Sequence, residues 1–260
     1  MKVNLFTFAL ALALGAFSAQ AIAHDFWAEA KAPKVNQKLT ASIGYGHNFP
    51  EGEDLKAEDL NTRFIPPKVY GENGELALAP GEKNTAYNSV DKLAPGYYVI
   101  ATQTNGTFFT RSEDGYASKP KNEVKGAKSC SYNTRFGKEV IKLGAAKNQD
   151  LATKPFGQTL EFVPQADPTN IKVGQPFPVK ILYQGQPLRG AEVSAYLAGL
   201  VKNNAALFFQ ANTSPEGIVN LIALKAGDWL AKVTVEEPYQ DKKVCDTSNA
   251  TASFTFRVHN

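Results

Sequence analysis

The sequence is short of the residues that most often carry chemistry. Its 260 residues hold three histidines, two cysteines, one methionine and two tryptophans. So few imidazoles leave a serine or cysteine hydrolase little choice of base. No G-x-S-x-G, no H-E-x-x-H and no phosphate-binding glycine loop between a strand and a helix occurs. The chain is therefore not expected to be an enzyme. A charge excess is lacking too: 28 Lys and Arg stand against 25 Asp and Glu, for a formal net charge of +3. Nucleic-acid binding would call for a concentrated basic stripe, and none is present. Long apolar runs are also missing. The one run, Phe6 to Phe17, falls short of the roughly 18 to 20 residues a membrane-spanning helix needs, so no transmembrane segment is expected in the mature chain.

That run, preceded by Lys2 and followed by small residues, has the form of a cleavable secretory signal over residues 1–23. Export to the periplasm is the resulting expectation. Two cuts obey the small-x-small rule, one after Ala21 and one after Ala23. The only cysteines, Cys130 and Cys245, are expected to pair in an oxidising compartment. Their disulfide would close a very long loop, worth about 4 to 5 kcal/mol in the chain-entropy account. A pair of thiolate metal ligands is the alternative.

Beyond the leader, short runs rich in Val, Ile, Tyr, Phe and Thr alternate with Gly, Pro and Asn clusters. Examples are KLTASIGYG (38–46), GYYVIATQT (96–104), FPVKILYQG (177–185), AEVSAYLAG (191–199) and ASFTFRVHN (252–260). The pattern predicts an all-β protein of two immunoglobulin-like β-sandwich domains. The turn-rich stretch 163–179 suggests a division into 24–160 and 161–260. Asn122 to Leu143, dense in charge and poor in alternation, is the expected place for a helix or irregular insertion. Trp229, Tyr97 and Tyr98 are expected in the cores, with Phe26 and Trp27 fixing the mature N-terminus against its domain.

HDFWAEA (24–30), GYGHNFPEGEDL (44–55), the segment 160–193 and LKAGDWLAKV (224–233) together resemble an exported domain-of-unknown-function family associated with nickel and cobalt uptake. That family includes periplasmic accessory components of energy-coupling-factor nickel transporters. The resemblance implies transition-metal handling and a partner in a membrane metal transporter or outer-membrane receptor.

The residues allow a metal reading of their own. Cleavage after Ala23 makes His24 the first residue, so its α-amine and imidazole can chelate one ion. The amine's pKa of about 7.7 to 8.0 makes its deprotonation easy near neutral pH. Cleavage after Ala21 instead places His24 third, giving an amine, two amide nitrogens and an imidazole in the square-planar set that Cu(II) and Ni(II) favour. His47, between glycine and a turn, is the natural second imidazole, and with His24 would complete a histidine brace. His259 is a possible third, on a strand whose Phe254, Phe256 and Val258 would face the core while Thr255, Arg257 and His259 face solvent. Asp25, Glu51, Glu53 and Asp54 could add oxygen donors. Mixed nitrogen and oxygen donors suit nickel or cobalt, and nitrogen alone leans to copper. A brace oxidase and a structural module without metal are the competing classes.

Overall fold

The computed structural model describes residues 24–31, 34–146, 148–199 and 208–260. The expected signal segment lies outside the described residues. The protein is all-β: among the described residues the α-helices are short, Ala57–Arg63 and Asp150–Thr153, and none is long and apolar enough to cross a membrane. Each of the five quoted β-rich runs forms a strand: Thr40–Gly46, Gly96–Thr104, Pro176–Tyr183, Glu192–Leu197 and Thr247–His259.

Among the described residues, an 11-stranded sheet runs through the middle, with a four-stranded sheet on each side. The alternation of side chains along its strands explains the layering. In Gly96–Thr104, Tyr97 and Val99 enter one core while Tyr98 and Ile100 enter another. The larger core joins Trp229, Ala231, Phe254 and Phe256 of the central sheet to Leu160, Phe162, Val179, Ile181 and Leu221 of the second outer sheet. The smaller one joins Ala28, Leu39 and Ala41 of the first outer sheet to Val69, Ile100 and Ile141 of the central sheet. Two sandwiches thus share one sheet and use opposite faces of it. Strand Ser129–Leu143 pairs in parallel with Thr247–His259, so the central sheet crosses the 160/161 position without interruption. Cys130 and Cys245, joined by a disulfide with Cα atoms 5.0 Å apart, tie these two strands together where they start. The Asp246 carboxylate accepts from the Cys130 amide at 2.8 Å beside them.

The stretch expected to be helical or irregular departs from that expectation. Lys121–Glu123 is a single 3-10 turn, and Ser129–Leu143 is a 15-residue strand. Its alternation is hidden because both faces are covered and both covers take charged residues. Lys138, 1% exposed, meets the Glu161 carboxylate and the Phe162 carbonyl on one face. Glu161 in turn accepts from the Phe156 and Gly157 amides. On the other face Glu139 accepts from the Ala30 amide at 2.5 Å. The buried charges of Lys138 and Glu161 persist because they are paired and hydrogen-bonded, whereas burial favours the neutral form of Glu139.

The last strand brings a second correction. Phe254, Phe256 and Val258 face the core and Arg257 and His259 are exposed, as expected, but Thr255 on that opposite face, with Ser253 before it, is buried at 7% and 3% exposure respectively. Strand Asp25–Lys31 covers them. One edge of that strand pairs with Thr40–Gly46, and side chains of the central sheet bond backbone groups along it. Ser253 Oγ donates to Phe26 O at 2.6 Å, and Thr255 Oγ1 donates to Ala28 O at 2.9 Å. Gly137 permits the approach, since a Cβ there would lie 2.7 Å from the Ala28 nitrogen. Buried backbone groups need such partners, which is why hydroxyls occupy these positions.

Candidate metal centre

The N-terminal strand carries His24 to the end of the Thr40–Gly46 strand, where the register pairs Asp25 with Gly46 and Phe26 with Tyr45. Phe26 and Trp27 are buried, as expected. Phe26 packs with Ile43, Tyr45, Leu60 and Phe64. Trp27 is fully buried with Phe49, Tyr196 and Leu230, and its indole lies over Gly44, where any side chain would collide with the ring.

His47 follows a sharp turn. Gly46 has φ +152°, a conformation open to glycine, and a Cβ there would press on Glu53. The loop then folds back: Glu51 N donates to Asn48 O at 2.6 Å and Glu53 N to Tyr45 O at 2.8 Å. This return brings the Glu53 carboxylate over His24.

His24, His47 and Glu53 consequently offer three potential ligand atoms within 4.8 Å of one another. The His24 Nε2–H donates to Glu53 Oε2 at 3.1 Å. The two imidazole centroids are 3.9 Å apart with planes inclined by 37°, and His24 stacks on Tyr45 at 4.7 Å with planes nearly parallel. Tyr45 is held from behind: its hydroxyl accepts from Arg63 at 3.1 Å, and the Arg63 and Arg135 guanidiniums lie 5.5 and 5.9 Å from its ring. Burial lowers the Arg135 pKa, while the nearby Tyr45 and Asp25 favour its charged form.

One observation tests whether the residues fit a metal. His47 Nδ1 is buried and has no hydrogen-bond partner. A buried imidazole nitrogen left in that state is costly, and a metal or a donor would satisfy it. Two imidazoles and a carboxylate are the donor types that borderline divalent transition metals accept. Glu53 is exposed enough, 47% for its side chain, for an ion to arrive from solvent.

Not every residue considered from sequence joins the cluster. Asp25 is turned away, buried between Tyr196 and Lys232. Glu51 and Asp54 are exposed on the loop. His259 is exposed at the end of its strand, where its carbonyl accepts from Val173 N at 3.0 Å, and it is not in the cluster. Tyr45, Arg63 and Arg135 were missed, since no motif marks residues that act through packing behind a ring.

The fold and site together define an all-β protein with a histidine and carboxylate cluster at the edge of its first outer sheet. The chain belongs to the family described as a domain of unknown function, DUF4198, which matches residues 21–237. No curated protein matches the sequence. Among solved structures, the D0-D1 domain of intimin is similar at 16% identity and TM-score 0.22, covering 89% of this chain and 97% of that one. A chimeric titin Z1Z2 carrying a decorin peptide is similar at 12% identity and TM-score 0.22, covering 92% and 97%. The fibronectin(III)-like modules of Clostridium thermocellum CbhA follow at 9% identity and TM-score 0.20, covering 89% and 94%.

Proposed function

We propose that the protein is a periplasmic binding protein for a divalent transition metal, nickel or cobalt by preference, which it holds at a processed N-terminus and passes to a membrane metal transporter or outer-membrane receptor. It acts by binding and not as an enzyme. The observation that carries this reading is the cluster of His24, His47 and Glu53 with an unpartnered buried nitrogen on His47.

Signal cleavage after Ala23 would add the α-amine of His24 to this set. The amine and Nδ1 of the same residue would then hold one ion together, leaving Nε2 free for the Glu53 carboxylate. The Glu53 bond to Nε2 favours the tautomer whose Nδ1 lone pair is free, as carboxylates do for metal-bound histidines generally. The proximity of His47 favours this cut over cleavage after Ala21, because the square-planar alternative is complete without His47 or Glu53.

The position of Glu53 supports copper as a second reading. If its carboxylate stays on His24, the donors are nitrogen alone and suit Cu(II); if it swings onto the ion, the mixed set suits Ni(II) or Co(II).

Native intact-mass analysis of the exported protein tests the proposal. The expected species begins at His24, contains one disulfide and gains one metal ion. A correctly processed chain that stays metal-free with nickel, cobalt and copper in excess would overturn it.

A further inference from the structure

Asp25 follows the proposed ligand His24 directly and is 6% exposed, yet its carboxylate takes no place in the cluster. Both of its oxygens are engaged by residues distant in sequence. The Tyr196 hydroxyl donates to Oδ2, and Lys232 Nζ donates to Oδ1 at 2.8 Å. Tyr196 comes from strand Glu192–Leu197 and Lys232 from Gly227–Pro238, neighbours in the central sheet. Tyr196 is 3% exposed and packed with Trp27, Phe49 and Leu230, so its hydroxyl has little freedom to point elsewhere. Burial and the adjacent Asp25 carboxylate both raise its pKa, which keeps the phenol a donor.

Two independent restraints thus meet at residue 25: backbone pairing with Gly46 on the strand edge, and a charged clamp from the central sheet. A chelate made by the first residue of a chain is weak when that residue frays, because binding must then order it. Here the residue next to it is fixed from two directions.

We infer that Tyr196 and Lys232 are positioning residues of the His24 site, holding Asp25 so that His24 is presented to His47 and Glu53 before an ion arrives. The inference rests on the metal reading above. It makes metal affinity a property of both halves of the chain, although the three cluster residues all come from the first.

The test uses the processed protein, residues 24–260, titrated with Ni(II) and separately with Cu(II) by calorimetry. Tyr196→Phe and Lys232→Met are each expected to lower affinity about 10-fold, the lower end of the loss seen for direct outer partners of a ligand, because they act one residue removed from His24. Because both act through Asp25, their effects should fall short of additive in the double variant. Lys232→Arg should restore affinity. The Cu(II) electron paramagnetic resonance spectrum of the loaded variants should match the parent, since no ligand has changed. Val219→Ala, buried in the opposite sandwich, serves as a destabilised control and should bind as the parent does.

Parent-like affinity in both Tyr196→Phe and Lys232→Met overturns the inference while leaving the metal reading intact. Equal weakening in Val219→Ala also overturns it, by showing that general loosening suffices. A changed copper spectrum overturns it by making Asp25 or a neighbour a ligand. Failure of the parent itself to bind removes the metal reading and this inference with it.

Discussion

The two faces of the central sheet are both buried but by different means. One face presents Trp229, Ala231, Val233, Phe254 and Phe256 to a largely apolar partner sheet, with the Lys138–Glu161 pair as a buried charged contact between them. The other presents Tyr196, Lys232, Ser253, Thr255 and Glu139 to the N-terminal strand, bonding Asp25, Phe26, Ala28 and Ala30 individually. Apolar packing is non-directional and supplies most of the stability. Hydrogen bonds add less net free energy but fix a register, because each unmade bond leaves a buried group unsatisfied. The polar face is therefore the one able to place His24 where a site needs it.

Breaking the apolar face should have the largest effect. Phe254→Ala, at a position with 0% exposure, should lose about 3 to 5 kcal/mol of stability in urea unfolding. Its cluster residues His24 and His47 should keep their mutual arrangement as long as the chain is folded. On the polar face, Thr255→Val keeps the shape and removes the donor to Ala28 O. It should cost about 1 to 3 kcal/mol, and a loss as large as that of Phe254→Ala would erase the distinction between the faces.

Glu139 gives a comparison by pH. Burial raises its pKa well above the ordinary 4.5, against the opposing bond from the Ala30 amide. An acid whose folded value is raised contributes stability that is complete below its unfolded value and is lost as pH rises through the folded one. The parent should thus lose stability relative to Glu139→Gln as pH climbs above about 4.5. Unfolding curves across that range that remain parallel for the two proteins would show that Glu139 is not perturbed. The smallest effect belongs to His259→Ala, which should leave metal stoichiometry and affinity unchanged by calorimetry because His259 lies outside the cluster.

Much of this fold was legible in the sequence where strands have one wet face or a wholly apolar core face. Gly96–Thr104 and Thr247–His259 fall where alternation places them. Ser129–Leu143 was not legible, because Lys138 and Glu139 lie on opposite buried faces and read as surface charge until their partners are known. The solvated face expected around Thr255 failed for a related reason: what covers it is a strand more than 200 residues earlier in the chain, bonded at a separation of 227.

Within the candidate site, scarcity itself made His24 and His47 visible, since the chain holds three histidines. Choosing Glu53 over Glu51 and Asp54 required the turn after Gly46, which sequence spacing alone does not specify. Tyr196 and Lys232, at separations of 171 and 207 from Asp25, had no local signal at all.

The most direct measurement compares two forms of the protein that differ by one blocked amine. Metal affinity is determined for a chain beginning at His24 and for one that retains a methionine before it, with Ni(II), Co(II) and Cu(II) each tested alone. The account predicts one bound ion at the free terminus and markedly weaker binding when the α-amine is blocked. Equal affinity in both forms, or no binding in either, would contradict it.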